Sequence, residues 1–534
     1  MPSAIIIGSG PAAAAAALSL ARRPDVQITI LDLGVRLEPE RQKVVDRLSS
    51  SDAVGWDDGL VGTISEQPVR AGGGLPEKRT YGSSFPFRDI GQMEGVTTAG
   101  RVSRSLISAA YGGFSNVWGA QVMPFAKAVF DDWPVGWSQI EGHYRAVLDH
   151  LPFAADRDDL EAMFPLLGEP APLPRLSVRS ERVLDAYAKH RASLNRLGLT
   201  IGKARLAFQA GSCVRCGLCM TGCPYSLIYS SAQTFDQLRR NGRVTYHGGL
   251  LALSVSEDSR SAVVTARELA TGQIGRFSAD RVYVAGGAMG TTRIIVNSLR
   301  LFDRELSMSE AQQFVLPMLS RRATPDPRQE AQFTLNQFNM IVSRDEIGYD
   351  VSQLHFYTHN PAFVDALPRV LRASRAEPAM LQLLRRLSVA LGYLPSWNSP
   401  RLVLRTRAPS ERGALPEMIV SEGHAPPGRN RMLGTVIART IRASPLLDLY
   451  PVVPMLRLAP GGKSYHWGGT FPHSRKAGTI FSSDSLGRVG DWRRIHLVDA
   501  SVFPNVPATT FTLTVMANAH RIAAETLNIV DAGS

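Results

Sequence analysis

The segment that most constrains this chain lies at its start. Ala4-Ile-Ile-Ile7 is a short run of strand formers, followed by Gly8-Ser-Gly10-Pro-Ala-Ala13 and an alanine-rich stretch to Ala21. A second strand-like run, Gln27-Ile-Thr-Ile-Leu31, ends at Asp32. Strand, glycine turn, helix, strand and acid in that order predict a βαβ unit that binds a dinucleotide. Gly8 and Gly10 allow a tight turn and a close approach of backbone to pyrophosphate, and Ala13 is small where a third glycine usually stands. Pro11 and Ala12 lie in the first helical turn, whose free N–H groups and partial positive charge face the phosphates. Asp32, 22 residues beyond Gly10, is placed to accept hydrogen bonds from the ribose hydroxyls. The unit by itself leaves FAD and NAD both open.

At 534 residues the chain is too long for one core, so two or more intertwined domains are expected. A hydrophobic share of 44% and a charged share of 20% are those of a globular protein and argue against extended disorder. The net charge of +12 comes mostly from scattered arginines. Without a basic block this reads as a solvated surface, and no nucleic-acid partner is expected. No uncharged apolar run reaches the ~18 residues of a membrane span, and no leader pattern precedes Ala4. A cytoplasmic location is therefore the expectation, and there four clustered cysteines read as metal ligands before disulfides.

Glycine-punctuated strand-and-helix patterns cover residues 1–150, 201–305 and 455–534. These predict one discontinuous Rossmann-like α/β domain that binds the dinucleotide and carries the cysteine-rich segment 211–225. Residues 151–200 and 306–454 are less patterned and read as a substrate-binding cap. Phe333–Val342 and Leu354–Tyr357 alternate as strands of an antiparallel sheet, and Met380–Leu387 has helical spacing.

Three more segments point to a family. Tyr111-Gly-Gly-Phe-Ser-Asn-Val-Trp-Gly-Ala120 resembles the Gly-Gly-x-Ser loop with which glucose–methanol–choline oxidoreductases wrap their flavin. Arg281-Val-Tyr-Val-Ala-Gly-Gly-Ala-Met-Gly-Thr-Thr-Arg293 is similar to their later strand-turn-helix, and Asp484–Val489 with Leu497–Pro504 to their C-terminal signature. The resemblance spans both ends of the chain and fades across residues 306–454. It implies FAD, an α/β fold with a cap, and oxidation of a CH–OH group. It also implies that Gly112, Gly113, Ser115 and Asn116 line the flavin, that Asp499 approaches its ribityl–phosphate part, and that Ala285, Gly286 and Ala500 belong to the same cofactor site.

Within that resemblance, Tyr465-His-Trp-Gly-Gly-Thr470 fits the family's His-x-x-Gly-Thr motif, which makes His466 the general base. An imidazole suits the task because its ordinary pKa lies near 6.5. The family's partner, Asn or His, precedes the final helix, and ungapped alignment of Phe503–Thr514 places Thr510 there, with Phe511 after it. A threonine hydroxyl can donate or accept a hydrogen bond but is shorter than asparagine. His473, His496 and His520 read as surface or packing residues.

Cys213, Cys216, Cys219 and Cys223-Pro224 are spaced C-x2-C-x2-C-x3-C-P, the bacterial ferredoxin pattern. All four thiols fall within 11 residues, whereas structural zinc sites pair two distant knuckles. An iron–sulfur cluster is thus expected, 3Fe–4S or 4Fe–4S. Cys213, Cys219 and Cys223 match the three-iron motif of related bacterial sugar dehydrogenases, and the additional Cys216 favours 4Fe–4S. The composite expectation is a dehydrogenase that oxidises a sugar, polyol or secondary alcohol and passes electrons through the cluster to an external acceptor or redox protein. The alternative is a flavin/iron–sulfur isomerase, lyase or C=C reductase, for which Thr510 is the main support.

Overall fold

The opening apolar run forms the strand Ser3–Ile7, at the centre of a five-stranded parallel sheet. In spatial order the strands are Ile495–Leu497, Arg281–Val284, Ser3–Ile7, Gln27–Leu31 and Thr245–His247. Both ends of the chain and its middle thus meet in one sheet. The central strand reads as continuous Ile because it is covered on both faces. The helix Pro11–Ala21 has Ala12 through Ala17 all buried, and the C-terminal helix Thr512–Leu527 packs against it. The computed structural model describes residues 1–66, 78–88, 95–104, 106–360, 377–411, 413–476 and 478–527. Residues 528–534 of the expected nucleotide domain and 361–376 of the expected cap lie outside them.

The cap sheet is antiparallel, as its alternation predicts. Its path runs Tyr450–Pro451, Gln313–Leu319, Leu387–Tyr393, Val351–Tyr357, Phe338–Ser343 and Leu199–Lys203, with Arg457–Leu458 paired beside Gln313–Leu319. Strand Phe338–Ser343 begins five residues later than the apolar run suggests, and the helix Glu377–Leu384 ends where strand Leu387–Tyr393 begins. Residues 306–454 feed a second sheet as well: Glu305–Glu310, Leu402–Arg407 and Glu417–Glu422 join Trp467–Gly468 and Val96–Ala99.

The two faces of the cap sheet differ sharply. Phe314, Leu316, Met318, Phe338, Met340, Leu354 and Phe356 point to helices Val178–Arg196 and Pro427–Leu447, forming a closed apolar core. Because side chains alternate along a strand, the opposite face carries Gln313, Asn339, Gln353, His355, Tyr357 and Tyr393. Gln313, Tyr357 and Tyr393 from this polar face wall the cavity described next.

Candidate active site

A single cavity of about 400 Å³ runs from the N-terminal turn to the cap sheet. Gly8, at φ +100°, needs to be glycine for the fold itself: a Cβ there would stand 2.6 Å from the Ala285 carbonyl oxygen. Gly10 differs. Its φ of −71° suits any residue, and a Cβ there would meet nothing within 4 Å. The space in front of Gly10 is cavity. Gly10 caps the helix Pro11–Ala21 without any side-chain bond to its first N–H groups, and no acid lies in the first turn. Those donors suit an anionic ligand.

Asp32 lines the same cavity, buried, and its Oδ2 accepts bonds from Ser9 Oγ at 2.5 Å and Tyr246 Oη at 2.8 Å. Burial pushes its carboxyl up to about 6. Ser9 Oγ also accepts from Gly112 N–H at 2.9 Å, which ties the turn to the loop that follows Tyr111. Ser115 Oγ donates to the Gly112 carbonyl at 2.5 Å and accepts from Ser231 N–H at 3.0 Å. Asn116 Nδ2 donates to the Tyr111 and Gly113 carbonyls. Gly113 and Ser115 line the cavity; Gly112 and Asn116 shape the loop behind it. Ala12, Ala285, Gly286, Asp499 and Ala500 also line it. Asp499 accepts from Thr291 Oγ1 and, at 2.9 Å, from Ser501 N–H, and burial raises its carboxyl.

His466 stands on the cavity wall where the nucleotide part meets the cap. Its ring stacks on Tyr393, centroids 4.7 Å apart and planes at 20°, and lies 4.9 Å from the Phe511 ring. Burial holds the imidazole down to about 3, so at neutral pH it is uncharged and carries an acceptor nitrogen. The loop that carries it is fastened by Glu310, which the sequence reading did not single out. Both Glu310 carboxyl oxygens accept from Gly462 N–H at 2.9 Å, and Oε1 accepts from Ser464 Oγ at 2.7 Å. Ser464 Oγ accepts in turn from His466 N–H at 3.1 Å, and Ala311 N–H donates to the His466 carbonyl at 2.9 Å. Tyr465, between them, is held at φ +57°, a strained conformation for a bulky residue that the bonds on either side stabilise. Burial of Glu310, with Glu422 nearby, pushes its carboxyl up to about 7. A single glutamate ending a strand carries no sequence signal of such a role.

The alignment placed Thr510 beside His466, and the structure places Phe511 there instead. Thr510 is buried, its hydroxyl has no hydrogen-bond partner among the described residues, and it is not part of the cavity wall. His473, His496 and His520 are all packing residues: His473 is bonded to Asn518 and the Asp484 carbonyl, His496 to the Leu486 carbonyl, and His520 to His143.

Cys213, Cys216, Cys219 and Cys223 are all free thiols, which removes the disulfide reading. Their loop adjoins the cavity through Met220, which lines it and packs against Tyr357, Val389 and Leu391 of the cap sheet. Cys219 Sγ accepts from Thr334 N–H at 3.3 Å and Cys213 Sγ from Arg215 N–H at 3.4 Å. Burial pushes the Cys213 thiol up to about 11 and the Cys223 thiol up to about 12. Among the described residues, no three Cys, His, Asp or Glu side chains close around one point as a single metal ion requires. No helix among them is long and apolar enough to cross a membrane.

No protein-family model matches the chain, and no curated protein matches its sequence. Solved structures do match along nearly its whole length. Pyridoxine 4-oxidase from Mesorbium loti shares 14% identity, covering 98% of this chain and 99% of its own, with a TM-score of 0.59. A variant of Aspergillus oryzae RIB40 formate oxidase, studied for its FAD modification, shares 13% identity over 98% of both chains with a TM-score of 0.63. A further formate oxidase structure shares 14% identity over 98% of both chains, with a TM-score of 0.61. The chain therefore has the fold of these oxidases, a nucleotide-type α/β domain with an antiparallel cap.

Proposed function

We propose that the chain is an FAD-dependent oxidoreductase of the glucose–methanol–choline type that oxidises a CH–OH group to a carbonyl, with His466 as base. The observation that carries this reading is the continuity of the cavity. One space joins the uncapped helix N-terminus at Gly10, the Asp32 carboxyl and the His466 imidazole, and a dinucleotide with a reactive ring at its far end needs those contacts in that order. The residues fit FAD: open space before Gly10, free N–H donors for a pyrophosphate, and buried Asp32 and Asp499 on the wall. Bound FAD would supply the two-electron acceptor for hydride. The protein's part is to orient the alcohol between Tyr393, Phe511 and His466 and to take the hydroxyl proton on the uncharged imidazole as the C–H bond breaks. The FAD of the formate oxidase variant and the oxidation of pyridoxine by pyridoxine 4-oxidase agree with this reading.

The same reading assigns an iron–sulfur cluster, 4Fe–4S before 3Fe–4S, to Cys213, Cys216, Cys219 and Cys223. The donor set supports it: four free thiols on one loop, two of them accepting backbone N–H bonds. The four thiols fall within 11 residues, whereas structural zinc sites usually pair two distant knuckles, and that spacing favours a cluster over zinc. A cluster there would carry electrons singly to an outside acceptor. The acceptor and the substrate class, sugar, polyol or secondary alcohol, belong to this proposal.

The test is anaerobic mixing of purified flavoprotein with D-glucose, sorbitol, 2-propanol, benzyl alcohol, pyridoxine and formate while the flavin absorbance is followed. Bleaching by an alcohol is expected. Bleaching by dithionite alone would favour isomerase, lyase or reductase chemistry, and bleaching by formate alone would move the reaction away from CH–OH groups.

A further inference from the structure

Phe511 stands beside His466 and Thr510 is off the cavity wall, so a polar group from another element is the better placed partner for His466. The cap sheet supplies one. Tyr393 ends the strand Leu387–Tyr393 on the polar face, lines the cavity, and lies flat against the His466 ring. Its hydroxyl oxygen accepts a bond from Gln313 Nε2 at 3.0 Å, and Gln313 also lines the cavity. With Gln313 donating, the phenolic hydrogen is free to point elsewhere, into the cavity that Tyr393 lines.

We infer that Tyr393 is a catalytic residue of this site, its hydroxyl donating a hydrogen bond to the substrate alcohol oxygen while His466 receives that oxygen's proton. The phenol keeps its own proton throughout, and no bond to it is made or broken. Burial supports this, since it pushes the phenol up to about 12 and leaves it a donor across the working pH range. A donor aimed at an oxygen that gains negative character as its proton leaves is worth most in the transition state. Phe511 meets another part of His466 with an apolar ring, whereas Tyr393 brings a hydroxyl to the ring it stacks on. Tyr357, also on the cavity wall, stands four residues out of register along the sheet, its hydroxyl 3.3 Å from where a Cβ on Gly119 would be.

This inference rests on the alcohol-oxidation reading, and the experiment separates the two. The limiting rate of flavin reduction is measured by anaerobic stopped flow with whichever panel alcohol bleaches the flavin, for wild type, Tyr393→Phe and His466→Ala. Tyr393→Phe keeps the ring and its stack, so flavin content and thermal midpoint should match wild type. Its rate at saturating alcohol should fall about 10- to 1000-fold. A rate within twofold of wild type, with His466→Ala slow, overturns the role of Tyr393 alone. His466→Ala within twofold of wild type, or no bleaching by any alcohol, overturns the underlying reading and this inference with it. Should Tyr393→Phe purify without flavin, Gln313→Leu carries the test: it leaves the phenol in place but removes the bond that aims it. A rate at least threefold lower is then expected, and a wild-type rate overturns the proposal.

Discussion

Gly8 and Gly10 sit two residues apart in one turn, yet the structure gives them separable jobs. Replacing Gly8 with alanine forces a residue with a Cβ into φ +100°, at about 1–2 kcal/mol. It also drives that Cβ to 2.6 Å from the Ala285 carbonyl oxygen, and relieving such a clash costs a further ~1–3 kcal/mol. The apo protein should lose about 2–5 kcal/mol of stability. Gly10→Ala meets no such obstacle, with φ at −71° and no atom within 4 Å. Its smaller unfolded-state entropy stabilises by about 0.4–1 kcal/mol, and alanine's poorer helix capping removes a similar amount. Apo Gly10→Ala should therefore melt like wild type. The methyl group instead projects where a pyrophosphate must approach. Wild type with FAD at 100 times its Kd gains about 2.7 kcal/mol, and a variant binding 100-fold more weakly keeps only about 0.4. Differential scanning fluorimetry of both apo variants, with and without FAD, reads each term separately. A full wild-type FAD shift in Gly10→Ala, or an apo midpoint as low as that of Gly8→Ala, would refute the separate roles of the two glycines.

The same protein permits three further checks. His466→Ala should slow flavin reduction by alcohol about 10²–10⁴-fold, whereas Thr510→Ala, off the cavity wall, should cost less than about tenfold; stopped flow that ranks them the other way removes His466 as base. Because burial raises the Glu310 carboxyl from 4.5 to about 7, its ionised form costs stability at alkaline pH, and that cost disappears as the group protonates on the way down to 4.5. Glu310→Gln should thus gain on wild type by up to ~3 kcal/mol more at pH 8 than at pH 5; urea denaturation showing a pH-independent difference would contradict this. Anaerobically purified protein should contain iron and acid-labile sulfide in near-equal amounts, and stoichiometric zinc without sulfide would assign the four thiols a structural role. If the cluster is 3Fe–4S, Cys216→Ser should leave its electron paramagnetic resonance signal intact and Cys219→Ser should abolish it.

What could be read from the residues in order was whatever local chain geometry enforces. A strand, a turn that only glycine can make at Gly8, an alanine helix and a second strand form one unit whose parts are sequence neighbours. The sequence therefore named the residues of the proposed nucleotide half of the site, Gly10 and Asp32, and the loop of Gly113 and Ser115, all of which line one cavity. His466 was legible for the same reason, because its motif is contiguous. The cysteines and the cluster proposed for them were likewise read from contiguous spacing.

The cap's side of the proposed reacting centre exists only in the folded chain. Tyr393 and Gln313 are 80 residues apart and meet only because their strands pair antiparallel, Gln313 opposite Tyr393. Alternation along those strands sorts polar from apolar side chains, but which face looks at the cavity depends on helices Val178–Arg196 and Pro427–Leu447 covering the other. The one-residue difference between Thr510 and Phe511 has a similar origin. Just before a helix, adjacent side chains point in different directions, so an ungapped alignment cannot tell which of them faces His466. Glu310 lies 152 residues from Gly462 and 154 from Ser464. It holds the His466 loop through bonds that exist only once strands distant in sequence have packed together.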